Sequence, residues 1–150
     1  MIKFTISIAV HNLLGQTRDC LNSILDTLKY NQDLLEKGGV EIIIVDNGST
    51  GLMEMLSEMK QSLRQQDWAK GKVFLEALRK EENEGYIKAH NDMMFYAKGE
   101  YVVIMNNDMV VEDNDWLWKM EQKFAENIKL QMLGVRSEWG KLKATGYGDL

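Results

Sequence analysis

This 150-residue sequence predicts a mostly parallel, doubly wound α/β sheet, and three observations lead to that fold class. Short apolar runs of strand length alternate with stretches whose apolar residues recur at helical spacing. The first four strand-like runs each end in a polar cluster rich in Asn, Asp, Glu or His. The connections are short, as in a parallel sheet built with right-handed crossovers.

The first run sets Phe4, Ile6, Ile8 and Val10 against the smaller Thr5, Ser7 and Ala9, which suits a strand packed between two different layers. From Thr17 the period lengthens. Cys20, Leu21, Ile24, Leu25, Leu28 and Leu35 share one helical face, and Gly38-Gly39 supplies the stop. Val40 to Val45 is unbroken and β-branched through Ile42, Ile43 and Ile44, as in a central strand covered on both faces. It ends in Asp46-Asn47-Gly48-Ser49-Thr50, and Leu52, Met55, Leu56, Met59 and Leu63 then mark a helix with Ser49 or Thr50 as N-cap.

Val73 to Leu78 is predicted as a third strand, Tyr86 to Ala97 as a helix, and Tyr101 to Met105 as a strand leading into Asn106-Asn107-Asp108. Leu117, Met120, Phe124 and Ile128 predict a further helix with Asp113 as N-cap, and Leu130 to Val135 a fifth strand. Of Trp116 and Trp118, which flank Leu117, one ring is expected in the core and the other at the surface. No repeat, linker or low-complexity segment interrupts the pattern, and with no proline every turn must be shaped by Gly, Asn, Asp and Ser.

Composition narrows the function. Hydrophobic residues are 45% and charged residues 27%, a globular mix that excludes disorder as the main state. A net charge of −5 argues against a surface built for nucleic acid or anionic lipid. The lone Cys20 has no disulfide or zinc partner, so it reads as a small core residue in a reducing, cytoplasmic setting. The ten methionines read as core filler. No run reaches the roughly 18–20 apolar residues of a membrane span, so attachment to the inner face of a membrane would be through partners.

Ligands of an open parallel sheet bind outside the carboxyl ends of its strands. The residues there are His11 and Asn12 after the first strand, and Asp46, Asn47 and Gly48 after the second. Glu82, Asn83 and Gly85 follow the third, and Asn106, Asn107 and Asp108 the fourth. All four sets are polar and are expected on one edge. No Gly-rich phosphate loop is present, so phosphate would be held by a divalent cation and scattered donors. A carboxylate at a strand end suits Mg²⁺ or Mn²⁺, which favour oxygen ligands and share their shell with diphosphate.

The ordered pieces Ile8-Ala9-Val10-His11-Asn12, Ile44-Val45-Asp46-Asn47-Gly48-Ser49-Thr50, Glu82-Asn83-Glu84-Gly85 with Ala89-His90-Asn91, and Gly99-Glu100-Tyr101-Val102 leading to Asn106-Asn107-Asp108 resemble the family 2 glycosyltransferases. The resemblance runs over roughly residues 4 to 135. It implies a GT-A fold, with a Rossmann-like nucleotide-binding half and an acceptor-binding half. It also implies inverting transfer from a nucleotide-diphosphate sugar (UDP, dTDP or GDP) with Mg²⁺ or Mn²⁺.

By that resemblance Asp46 recognises the base, with His11 and Asn12 lining the same pocket. Asn106-Asn107-Asp108 occupies the place of the Asp-x-Asp motif, in a spelling found in members that look like rhamnosyltransferases. Asp108 is then the metal and diphosphate ligand, while Asn106 offers a neutral amide to ribose or water. Asn83 and Asn91 match positions near the donor, and His90 stands where an Arg is common, which weakens any phosphate contact from there. Val10 and Asn114 replace prolines without touching the chemistry.

The chain is therefore expected to be one donor-binding domain, incomplete because the family's catalytic carboxylate and most acceptor contacts lie in a second half, beyond Leu150. Lys141 to Gly146 resembles the start of the hairpin region leading toward that half. Glu138, beside Trp139, lacks the family motif around the base. The competing expectations are a binding or assembly module that kept the fold without transfer, and a nucleotidyltransferase. The latter is disfavoured because His11-Asn12-Leu13-Leu14-Gly15 has no basic residue.

Overall fold

The first two strand-like runs are each covered on both faces, the first with small residues toward one layer and the second with large β-branched residues toward both. In the computed structural model, which describes residues 1–138 and 141–145, the strands β1 (Ile2–Val10), β2 (Gly39–Asn47), β3 (Val73–Lys80) and β4 (Tyr101–Asn106) form one parallel sheet in the order β3-β2-β1-β4. Phe4, Ile6, Ile8 and Val10 face the main core, built with helices α1 (Leu14–Tyr30), α3 (Leu52–Arg64) and α5 (Trp116–Glu126). The small Ala9, with Ile43 and Val45, faces Ala89 and Met93 of α4 (Tyr86–Met94) on the other side. Every residue of β2 is buried, as its β-branched run requires.

The chain steps outward from β1 to β2 to β3 and then returns to the far side of β1 for β4. That reversal places a topological switch point between the carboxyl ends of β1 and β4. Ala9 is in register with Asn106 there, so the loops beginning at His11 and Asn107 leave the sheet side by side.

Several element boundaries differ from the sequence expectation. The long helix through Leu35 is two helices, because Asn31 leaves helical geometry (φ −103°, ψ 62°) and its side chain accepts the Leu34 N–H to cap α2 (Gln32–Lys37). The N-cap of α3 is Gly51, at φ 75°; Ser49 and Thr50 bond instead to Asn12. Helix α4 stops at Met94, and Phe95 to Ala97 turn away from it. Asp115, not Asp113, occupies the N-cap position of α5, without a side-chain cap bond; the Asp113 carboxylate, two residues earlier, accepts the Asp115 N–H (2.9 Å). Ile128 lies past the end of α5 and is exposed.

The expected fifth parallel strand at Leu130 to Val135 is absent from the main sheet. Strand β5 is Gly134–Glu138, paired antiparallel with β6 (Lys141–Thr145) as a separate hairpin, while Leu133 packs on the main core. Of the apolar residues before Gly134, only Leu133 is packed in this way; Met132 is exposed. Trp139 and Gly146 lie outside the described residues. Cys20 is buried, Trp116 is buried with its indole N–H donating to Thr27 Oγ1 (3.1 Å), and Trp118 is 42% exposed.

A buried polar knot ties the turn before β4 to the sheet. Glu41 Oε1, on β2, accepts from Thr5 Oγ1 (2.6 Å) and from the Lys98 N–H (2.5 Å), and Thr5 Oγ1 in turn accepts the Gly99 N–H (2.8 Å). Replacing Glu41 by Leu removes the acceptor of the buried Thr5 hydroxyl and of the part-buried Lys98 N–H, at a cost of about 1–3 kcal/mol. Glu41→Gln keeps a carbonyl oxygen in place. Urea unfolding is expected to show a large loss for Glu41→Leu and a small one for Glu41→Gln; equal losses would place the role of Glu41 in its charge.

Candidate functional site

Two loops meet at the carboxyl ends of β1 and β2, and their backbone geometry is unusual. Asn12 and Leu13 both have positive φ (60° and 58°), a left-handed conformation that non-glycine residues hold only where the surroundings over-determine it. Here four bonds do so. The Asn12 N–H donates to Ser49 Oγ (2.8 Å), the Thr50 N–H donates to Asn12 Oδ1 (3.4 Å), and Asn12 Nδ2 donates to His11 Nε2 (3.3 Å). His11 Nδ1 lies 2.8 Å from the Asn47 carbonyl, which can only accept, so this nitrogen carries the proton. His11 and Asn12 stay exposed while anchored in this way.

Asp46 is placed differently. Its side chain is fully buried: Oδ1 accepts the Ser49 N–H (2.7 Å) and Oδ2 is paired with Arg79 Nη1 from the end of β3. The same Arg79 nitrogen donates to the Ser49 carbonyl (3.0 Å). Strand register sets Asp46 opposite Arg79 and Asn47 opposite Lys80, so a carboxylate at one strand end meets a cation at the next. Asn47 is also buried; its Nδ2 donates to the Gly85 carbonyl (3.5 Å) and its Oδ1 is a buried acceptor with no partner. Gly48 has φ 76°, and a Cβ there would sit 3.0 Å from the Glu81 carbonyl, so the turn admits little but glycine.

In the next loop Asn83 Oδ1 accepts the Gly85 N–H (3.0 Å), and Gly85 enters α4 at φ 90°. Four alternating charges clamp this loop to α4. Glu84 bridges Lys80 and Lys88 (3.0 Å each), and Asp92 is paired with Lys80 and with Lys88 (3.1 Å). The lysines hold both carboxyls below their ordinary range, Lys88 foremost for Glu84 and Lys80 foremost for Asp92. Asn91 is exposed on α4. His90 is buried beneath it, with Nδ1 2.7 Å from Ser7 Oγ and the Tyr86 ring against its edge. Burial lowers its pKa and withholds it from solvent, so it offers no cation to a phosphate.

After β4, Asn106 and Asp108 are exposed, whereas Asn107 turns inward and donates to Thr17 Oγ1 of α1 (2.9 Å). Among the described residues no group of three His, Cys, Asp or Glu side chains could hold a metal. One exposed carboxylate on a strand end fits a hard divalent cation that completes its shell with substrate phosphate and water.

The sequence-derived residues therefore separate by placement. His11, Asn12, Asn83, Gly85, Asn91, Asn106 and Asp108 are open to solvent, while Asp46, Asn47 and the half-buried Asn107 hold the loops in shape. Arg79 escaped the sequence analysis. Its signal was a cation at the end of the strand neighbouring Asp46, visible once β2 and β3 are set in register.

A four-stranded parallel sheet with helices on both faces and a reversal of strand order beside β1 defines a doubly wound α/β domain. Residues 5–141 match the model of glycosyl transferase family 2, and the chain belongs to that family. Its fold is similar to that of the mannosyltransferase PcManGT from Pyrobaculum calidifontis, solved in complex with GDP-Man and Mn²⁺ (TM-score 0.67, 21% identity, 83% of this chain and 33% of that one). It is also similar to S. aureus TarS 1-349 (TM-score 0.63, 21% identity, 85% of this chain and 33% of that one). The chain thus spans about a third of the length of each. None of the curated proteins matches it. Among the described residues, no helix is long and apolar enough to cross a membrane.

Proposed function

We propose that this chain is the donor-binding domain of an inverting family 2 glycosyltransferase, holding a nucleotide-diphosphate sugar (UDP, dTDP or GDP) with Mg²⁺ or Mn²⁺. One observation carries this: the register Ala9 to Asn106 sets the exposed His11 and Asn12 beside the exposed Asn106 and Asp108 across the switch point. Asp108 supplies the carboxylate for the cation, and Asn106 an amide for ribose or water. Asn83, Gly85 and Asn91 border the donor from the α4 side, and Asp46, Asn47 and Gly48 shape the base pocket. Asn107 steadies Asp108 by its bond to α1. The Asn-Asn-Asp spelling supports a rhamnosyltransferase-like enzyme of cytoplasmic polysaccharide biosynthesis, working at the inner membrane face through partners.

In the reaction, an acceptor hydroxyl forms the new bond to the anomeric carbon as the bond from that carbon to the diphosphate breaks, and the hydroxyl proton passes to a carboxylate acting as general base. When bound, the divalent cation neutralises charge developing on the diphosphate. The residues described here bind and orient the leaving group, which lowers only part of the barrier. A positioned base typically contributes a further 10²–10⁴-fold, and acceptor orientation more.

Calorimetry with UDP, dTDP and GDP, followed by product analysis with nucleotide sugars and acceptors, tests this proposal. The expected outcome is cation-assisted binding with slow donor hydrolysis and no enzyme-like transfer. Absence of nucleotide binding would favour an assembly module that keeps the fold without transfer. Robust transfer abolished by Glu138→Gln would place the base within this chain.

A further inference from the structure

Resting on the donor-binding proposal, we infer that Arg79 is the residue that meets the nucleobase, and that Asp46 is its positioning residue. Asp46 is 0% exposed at its side chain, and both its oxygens already accept a hydrogen bond from the protein. With no exposed surface, the carboxylate presents neither oxygen to a base edge. Arg79 is 46% exposed, and both of its described bonds, to Asp46 and to the Ser49 carbonyl, use the single nitrogen Nη1. Its fork carries five N–H donors, so donors on Nη2 and Nε remain for a ligand.

The buried carboxylate fixes the plane of the guanidinium and offsets its charge. The Ser49 carbonyl ties the same nitrogen to the loop that also holds Asn12 and His11. A pre-organised fork that only donates reads acceptors, and carbonyl oxygens on a base edge are its natural partners. Uracil, thymine and guanine carry such carbonyls; adenine carries none. The pair is thereby a selector for carbonyl-bearing bases, whereas a directly exposed Asp46 would select ring N–H groups.

The test is calorimetry of the full chain with UDP, GDP and ADP in Mn²⁺, for wild type, Arg79→Lys and Arg79→Ala, with thermal melting of each. Arg79→Lys keeps a cation against buried Asp46 and should fold as wild type does, but one ammonium cannot hold Asp46 and donate to a base in the same plane. Wild type should prefer UDP and GDP over ADP by about tenfold, the effect of one charge-assisted hydrogen bond. In Arg79→Lys that preference should fall to about twofold or less, through weaker UDP and GDP binding with ADP unchanged. A folded Arg79→Lys that keeps the wild-type preference overturns the assignment, even if Arg79→Ala fails to fold. So does a wild type that binds all three nucleotides equally. Failure to bind any nucleotide would instead sink the donor-binding proposal beneath it.

Discussion

Replacing Asp108 by alanine is expected to make nucleotide binding indifferent to Mn²⁺. Asp108 is exposed at the end of β4, and among the described residues no three-carboxylate or histidine cluster stands by to substitute for it. In the proposed site Asp108 would hold the cation, so removing its carboxylate would leave the described residues no anionic ligand there. A charged contact of this kind is worth about 1.5–3 kcal/mol, or roughly 10- to 100-fold in affinity. Calorimetry with UDP, dTDP and GDP, with and without Mn²⁺, should show the wild type gaining that factor from the ion and Asp108→Ala gaining nothing. Because Asp108 is exposed, the melting temperature should be unchanged, which separates this effect from misfolding. Equal Mn²⁺ enhancement in both proteins would remove Asp108 from the metal assignment.

The largest stability effect is expected from Gly99→Ala. A Cβ at Gly99 would lie 2.4 Å from the Thr5 backbone nitrogen and 2.7 Å from the Phe4 carbonyl carbon, both on the central strand β1. Neither atom can retreat without dragging the sheet, and the same movement would break the Gly99 to Thr5 and Lys98 to Glu41 bonds. Overpacking alone costs about 1–3 kcal/mol and each lost part-buried bond about 1 kcal/mol or more. Together these approach the lower end of the total stability of about 5–15 kcal/mol available to a domain. The variant should be largely unfolded or insoluble at 37 °C by circular dichroism. Gly15→Ala, where a Cβ meets nothing within 4 Å, should fold normally and serves as the control. A cooperative, near-native melt for Gly99→Ala would show that the turn before β4 shifts freely.

Sequence alone determined the α/β class, the four parallel strands and the gathering of their polar ends, because these follow from local periodicity and from the geometry common to all open parallel sheets. It also placed Cys20 and one of the paired tryptophans in the core, since burial of apolar side chains follows helical spacing. It could not place the break at Asn31, the cap at Gly51 or the detached hairpin of β5 and β6, because each turns on a backbone angle or a distant partner rather than on a repeating pattern. The division of the strand-end residues into those that face solvent and those that hold loops was likewise decided only by the tertiary structure. Asp46 and Asp108 are the same residue type after similar apolar strands. One is sealed beneath Arg79 and Ser49, and the other stands in water. What separates them is a cation 33 residues away in the chain, brought opposite Asp46 by the register of β3 on β2. A buried carboxylate needs hydrogen-bond donors or a cation to offset its lost hydration, as Thr5 and Lys98 do for Glu41 and Arg79 and Ser49 do for Asp46, and no feature of the sequence around Asp46 reveals that Arg79 is there.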